Sequence, residues 1–277
     1  MDLNFKNYIF CFETLEKIQE YMNSPENTPV ITILKSCFDP DIKSLTMLRE
    51  MNKKAQKKII GYHEENGVQF VSLDGVGISP FAQIGRGTVI YQGTIIRGGS
   101  KIGGNTVLGP NAIIDDAVIG AGCVINSTQI YSSILEDNIK IGPFCHIRPN
   151  CVIKSGVKIG DFVEVKNSNI GENTHASHLT YIGDSDVGKD VNFGCGCVTV
   201  NYDGINKARC KIGDNAFIGC NTNLVAPVNI GGGAYTAAGS TITKDVPAGA
   251  LAVSRAREQK IIEGWVESRR NKNKKQD

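Results

Sequence analysis

The stretch Ile84-Gly85-Arg86-Gly87-Thr88-Val89-Ile90-Tyr91-Gln92-Gly93-Thr94-Ile95-Ile96-Arg97-Gly98-Gly99-Ser100-Lys101-Ile102 returns an isoleucine at every sixth residue, and Leu108 and Ile114 continue the series unbroken. The spacing recurs at Ile141, Ile147, Ile153, Ile159 and Val165, and again at Ile212, Ile218, Leu224 and Ile230. An α-helix repeats every 3.6 residues and a strand every 2, so neither gives a period of six. A triangular solenoid does: each side is a short strand carrying one inward aliphatic side chain, and each corner is a turn. Glycine and asparagine suit such corners because they accept positive φ at little steric cost. Three sides make a coil of about 18 residues, so residues 76–248 supply roughly nine or ten coils.

The repeat skips one residue between Ile114 and Ile119, Val165 and Ile170, and Ile182 and Val187. From about Asn201 to Lys211 it breaks altogether, which predicts a loop thrown out from a corner, where solenoids often carry function. The ends differ. Leu15, Ile18 and Met22 predict a short amphipathic helix, and Val30-Ile31-Thr32-Ile33-Leu34, after Pro29, a strand. Ser44 is placed to cap a second helix over 44–60 through Leu48, Met51, Ala55 and Ile59. Ala256–Ser268 reads as a C-terminal helix, followed by the basic tail Arg269, Arg270, Lys272, Lys274 and Lys275. The expected organisation is a small α/β N-terminal cap over 1–43, a linker helix and lead-in over 44–75, a mainly β solenoid over 76–254, and a helix with basic tail over 255–277. The end pieces are expected to cover strand edges that a solenoid otherwise exposes.

Composition narrows the function. The 277 residues are 41% hydrophobic and 21% charged, with 31 glycines and only 7% aromatics. Such a core must be filled by small and branched aliphatic side chains. A formal charge of +2 argues against nucleic acid and membrane surfaces as partners. There is no apolar run of about 18 residues to span a bilayer, and Met1-Asp2-Leu3-Asn4-Phe5-Lys6 lacks the layout of a signal peptide. Nine scattered cysteines, an odd number, do not make a disulfide framework. A reduced, cytoplasmic setting is expected.

The strings His178-Leu179-Thr180-Tyr181, Asn201-Tyr202-Asp203-Gly204 and Leu224-Val225-Ala226-Pro227 identify a family. From about Leu45 to Trp265 the chain resembles the C-terminal acetyltransferase domain of the bifunctional enzyme that makes UDP-N-acetylglucosamine, a hexapeptide-repeat acyltransferase joined to a uridyltransferase. The resemblance implies a left-handed parallel β-helix, a homotrimer with sites between adjacent solenoids, and transfer of acetyl from acetyl-CoA to glucosamine 1-phosphate, with no metal needed for that step.

Chemistry supports the same residues. A neutral amine must attack the thioester, and a base must take its proton. A histidine, with an ordinary pKa near 6.5, suits that duty around pH 7. His178 is the expected base, and Glu164, one coil earlier, is expected to orient its imidazole. Arg148 and Lys166 lie 18 residues apart and therefore stack in successive coils, about 5 Å apart, as a phosphate clamp. The resemblance gives both the sugar-phosphate role, with Tyr181 and Asn192 completing the acceptor pocket. On the acetyl-CoA side it implies Asn201 and Tyr202 at the start of the loop, reaching toward a neighbouring subunit, Ala238 beside the pantetheine arm and Arg255 at a CoA phosphate. Cys195 and Cys220 join that set as departures, standing where alanine and serine are common. A thiol is a poorer donor than a hydroxyl, so either Cys220 or a backbone N–H is left to steady the oxyanion.

Nothing in residues 1–43 resembles the family's nucleotidyltransferase domain, so uridyltransferase activity is not expected. That leaves another amino-sugar phosphate or a nucleotide-linked amino sugar open as acceptor. A γ-type carbonic anhydrase would need three histidines around zinc, and His63, His146, His175 and His178 lack that spacing. Cys195-Gly196-Cys197 has no second ligand pair to make a zinc site. A non-catalytic scaffold would show decay of the polar pocket, whereas Arg148, Lys166, His178, Tyr181, Asn192, Asn201, Tyr202 and Arg255 are all present.

Overall fold

The computed structural model describes residues 45–255 and Glu263; the expected N-terminal cap, the Ser44 cap, the C-terminal helix and the basic tail lie outside the described residues. Three parallel sheets of eleven, ten and nine short strands run the length of the molecule. They close a left-handed β-helix of about ten turns. The first face runs from Gln69–Phe70 to Leu251–Ala252, the second from Gly77–Ile78 to Thr241–Ile242, and the third from Gln83–Ile84 to Val228–Ile230.

The hexad residues form the core. Ile90, Ile96, Leu108, Ile114, Ile147 and Ile218 are fully buried, and burying one such side chain stabilises the fold by about 1.5–3 kcal/mol. Each aliphatic stacks on its counterpart one coil away, as Ile96 on Ile114 and Ile147 on Val165. Two residues before most of these inward positions lies a second inward side chain, usually a small one: Thr88, Thr94, Ser100, Thr106, Cys123, Thr128, Cys145 and Cys197 are all buried. Their heteroatoms satisfy backbone carbonyls, several of them in the next coil. Thr88 Oγ1 donates to Gly103 O at 3.1 Å and Thr174 Oγ1 to Gly188 O at 2.8 Å. Cysteine does the same work with its thiol, from Cys197 to Gly219 O at 3.1 Å.

The corners hold asparagine at positive φ, as expected, at Asn105, Asn138, Asn173 and Asn221. The same backbone also carries Phe144, Phe162 and Leu179, at φ of 59°, 58° and 46°. These were not expected there, because bulky side chains rarely adopt it. All three are exposed, and the Phe144 and Phe162 rings stack with centroids 5.5 Å apart, so one corner bears an apolar ridge ending next to His178.

One insertion interrupts the stacking. Ser185 pairs with Cys210 and Val198 with Asn223, so the coil containing Asn201–Arg209 is longer than its neighbours while the ladders on either side continue in register.

A helix, α1, spans Leu45–Glu65. Met51, Ala55, Ile59 and His63 are buried at intervals of four on its inner side. Gln56 closes the open edge of the second face: its amide donates to Ile78 O at 2.8 Å and accepts from Ile78 N at 2.9 Å. The helix runs five residues past the expected 60. Gly61 has open space where a Cβ would stand and is carried within the helix. The stop comes instead at Gly67, at φ 86°, with Val68 N donating to His63 O.

Candidate active site

The second face carries Arg148, Glu164, Lys166 and Tyr181 because its outward positions stack at the coil repeat. His146 pairs with Glu164 and Glu164 with Tyr181, while Arg148 N donates to Val165 O, placing Arg148 beside Lys166 in the next coil. The two cations therefore stack as expected. Each also has an anion of its own. Arg148 Nη1 lies 3.0 Å from Glu164 Oε1, and Lys166 Nζ lies 3.3 Å from Asp184 Oδ2.

Glu164 is expected to orient the His178 imidazole. Its carboxylate is engaged by Arg148 on the second face, whereas His178 ends the first-face strand His175–His178. The residue aligned with His178 in the ladder is Asp161, which the sequence reading did not single out. His178 is exposed, its backbone carbonyl accepts from Thr180 Oγ1 at 2.7 Å, and Leu179 turns the chain immediately after it.

Asp184 organises the deeper part of the site and was also missed. It is 4% exposed and receives Asn167 Nδ2 at 2.5 Å, Lys166 Nζ and Asn201 Nδ2. Burial would raise its pKa, but these donors outweigh burial and hold the carboxyl below its ordinary value. Asn201 Nδ2 also reaches the Tyr181 hydroxyl at 3.4 Å. The Tyr181 ring lies over Gly183, where a Cβ would stand 2.3 Å from the hydroxyl oxygen. Asn201 is thus 9% exposed and seated against Tyr181 and Asp184 of its own chain.

The inserted loop is tied at both feet. Arg209 grips Asp186 through Nε at 3.1 Å and Nη2 at 2.7 Å, and donates to Asn167 O at 2.9 Å and Ser185 O at 3.0 Å. This guanidinium holds the Asp186 carboxyl below its ordinary range. Between the feet, Tyr202 bridges to Lys207, its hydroxyl donating to Gly204 O at 2.5 Å, and Asp203 Oδ1 accepts from the amides of Ile205 and Asn206. Ile205, at the tip, is 85% exposed.

The remaining predicted residues lie apart from this cluster. Asn192 is on the first face, the ladder partner of His175. Cys195 and Cys220 follow the paired strands Asn192–Phe193 and Phe217–Ile218, and Asn221 N donates to Cys195 O, so they occupy one corner in successive coils. Ala238 continues that corner, and Arg255 Nη1 donates to its carbonyl at 2.9 Å. The predicted residues fall into a second-face group of Arg148, Glu164, Lys166 and Tyr181, a first-face pair of His178 and Asn192, the start of the inserted loop at Asn201 and Tyr202, and a small-residue corner toward the C-terminal coils.

A left-handed β-helix of hexad coils with a polar cluster beside an inserted loop defines a hexapeptide-repeat protein, and the family described as bacterial transferase hexapeptide (six repeats) matches residues 132–167 and 209–244. Within that class the chain is homologous to the bifunctional protein GlmU. It is 55% identical over 204 residues to that protein from Caldicellulosiruptor saccharolyticus, covering 74% of this chain and 44% of the relative. It is 40% identical over 286 residues to the Clostridium botulinum protein, covering 97% and 62%, and 52% identical over 231 residues to the Clostridium perfringens protein, covering 83% and 51%. The chain therefore spans about half the length of the curated relatives it matches.

Proposed function

We propose that the chain is an N-acetyltransferase that uses acetyl-CoA to convert glucosamine 1-phosphate to N-acetylglucosamine 1-phosphate, working in the cytoplasm as a homotrimer. The observation that carries this reading is the stacking of Arg148 on Lys166 one coil apart, on the face adjoining the exposed His178. A sugar phosphate arriving there meets two cations through its phosphate. Tyr181 and Asn192 complete the acceptor pocket in this reading, and the small corner of Cys195, Cys220 and Ala238 with Arg255 takes the acyl donor. Similarity to a protein called bifunctional GlmU supports the assignment.

In this mechanism the acceptor's neutral amine attacks the thioester carbonyl carbon. A C–N bond forms and the amine proton passes to His178. The tetrahedral intermediate then breaks its C–S bond, and the departing thiolate takes the proton back from the imidazolium, which returns His178 to its starting state. The trimer brings a neighbour's loop to the open side of His178.

The test is thiol release from acetyl-CoA with glucosamine 1-phosphate, comparing wild type with His178→Ala. Wild type is expected to release CoA, and the variant to lose about 10²- to 10⁴-fold in kcat. Absence of release by folded wild type removes glucosamine 1-phosphate as acceptor.

A further inference from the structure

Asp184 belongs to none of the roles assigned so far, yet it joins two of them. Its Oδ2 accepts both from the Lys166 ammonium at 3.3 Å and from the Asn201 amide. Lys166 is the buried member of the cation pair, its side chain 17% exposed against 41% for Arg148. Asn201 is the first residue of the inserted loop, and its carbonyl accepts from Ala208 N at 3.0 Å, closing the loop's neck. Asn167, the third donor to Asp184, also offers its backbone carbonyl to Arg209, the loop's other foot. A single buried carboxylate thus touches the cation and one end of the loop directly, and reaches the other end through Asn167.

We propose that Asp184 is a positioning residue that couples occupancy of the Lys166 ammonium to the placement of the 201–209 loop. The physical basis is competition for one oxygen. In the free chain Oδ2 shares its charge between the ammonium and the Asn201 amide. An anion that draws Lys166 away leaves Asp184 compensated by Asn201 and Asn167 alone, and a buried carboxylate holds its remaining donors more strongly when a counter-charge leaves. Acceptor binding therefore tightens the loop's feet and orders the loop. The identity of that anion as a sugar phosphate rests on the function proposed above; the coupling between Lys166 and the loop does not.

The experiment is amide hydrogen exchange of the loop peptide in the full chain, as a mutant cycle without ligand. Lys166→Met, which touches no loop residue, is expected to slow exchange at Ala208 and its neighbours about five-fold. In an Asp184→Asn background the same substitution is expected to change nothing. Asn201→Ala removes the loop-side contact and is expected to silence the effect in the same way, so the cycle can be read even where Asp184→Asn folds poorly. Equal responses to Lys166→Met in all three backgrounds, or no response in wild type, would overturn the coupling. In a second arm, glucosamine 1-phosphate is added to wild type and its binding followed by calorimetry. Binding with slowed loop exchange supports the coupling, and binding without any change in the loop overturns it. No binding while the ligand-free cycle holds counts against the proposed acceptor and leaves the coupling supported.

Discussion

Glu164 Oε1 lies 3.0 Å from Arg148 Nη1, across one rung of the second-face ladder. The carboxylate expected to steady a catalytic imidazole is thus the ion-pair partner of Arg148, a cation proposed to meet the substrate phosphate. The distinction has a kinetic signature. A residue that orients the base acts on kcat, whereas a counter-ion that an incoming phosphate must displace acts on acceptor binding.

Glu164→Gln is therefore expected to leave kcat within about three-fold and to lower KM for a phosphorylated amino sugar, because the variant frees Arg148 without removing it. Steady-state kinetics over a range of acceptor concentrations checks this. A fall in kcat of about 100-fold or more at unchanged KM would return Glu164 to the imidazole.

The buried thiols should be chemically silent. Cys145, Cys197 and Cys210 are pushed up to about 11 by burial, and Cys123 and Cys151 are raised for the same reason. A thiol acts as a nucleophile only as thiolate. Alkylation followed by peptide mass spectrometry is expected to modify Cys220, which is exposed, and Cys195, which is half-buried, in the native protein. The other five described cysteines should react only after unfolding. Rapid native labelling of Cys145 or Cys197 would mean that the coils open far more readily than their packing implies.

His63, buried against the solenoid at the end of α1, is pushed down to about 4 by burial. The unfolded chain takes up a proton near pH 6.5 that the folded chain refuses, so folding loses stability as pH falls from 6.5 toward 4. The full effect is on the order of 3 kcal/mol at most. Asp184 and Asp186, held below their ordinary values, lose their contribution only at still lower pH. Denaturant unfolding at pH 7.5, 6, 5 and 4.5 should show the decline, and His63→Phe should flatten it over this window. An equal decline in the variant would place the titrating group elsewhere.

The fold was legible because one column of the core is chemically uniform. Isoleucine at every sixth position cannot be mistaken for a helix or an isolated strand. The second inner column escaped notice because threonine, serine, cysteine, alanine and valine share a volume rather than a chemical class. The run from Ile119 to Ile141 was also passed over. There two successive steps of five, Ile125 to Ile130 to Leu135, move the pattern out of a strict count of six while the ladder stays in register. Within the site, stacking of Arg148 on Lys166 followed from the coil length. Ion-pair partners did not, since whether Glu164 turns to Arg148 or elsewhere depends on side-chain direction and not on spacing. Asp184 reads in sequence as an ordinary corner residue, and it does occupy a corner, at φ 47°. Its burial, and the convergence of three donors on it, come only from assembly of neighbouring coils. Arg209 was absorbed into the loop, although its guanidinium is what fastens that loop down.

The insertion between Val200 and Cys210 leaves the ladders on either side undisturbed. Only its two feet engage the network beneath, and doubling its length would add only about 0.6 kcal/mol of closure entropy. The two parts thereby obey separate constraints: the coils answer to volume and register, the protruding segment only to its two anchored feet. Such a chain can rewrite Tyr202–Ala208 while the scaffold beneath stays the same.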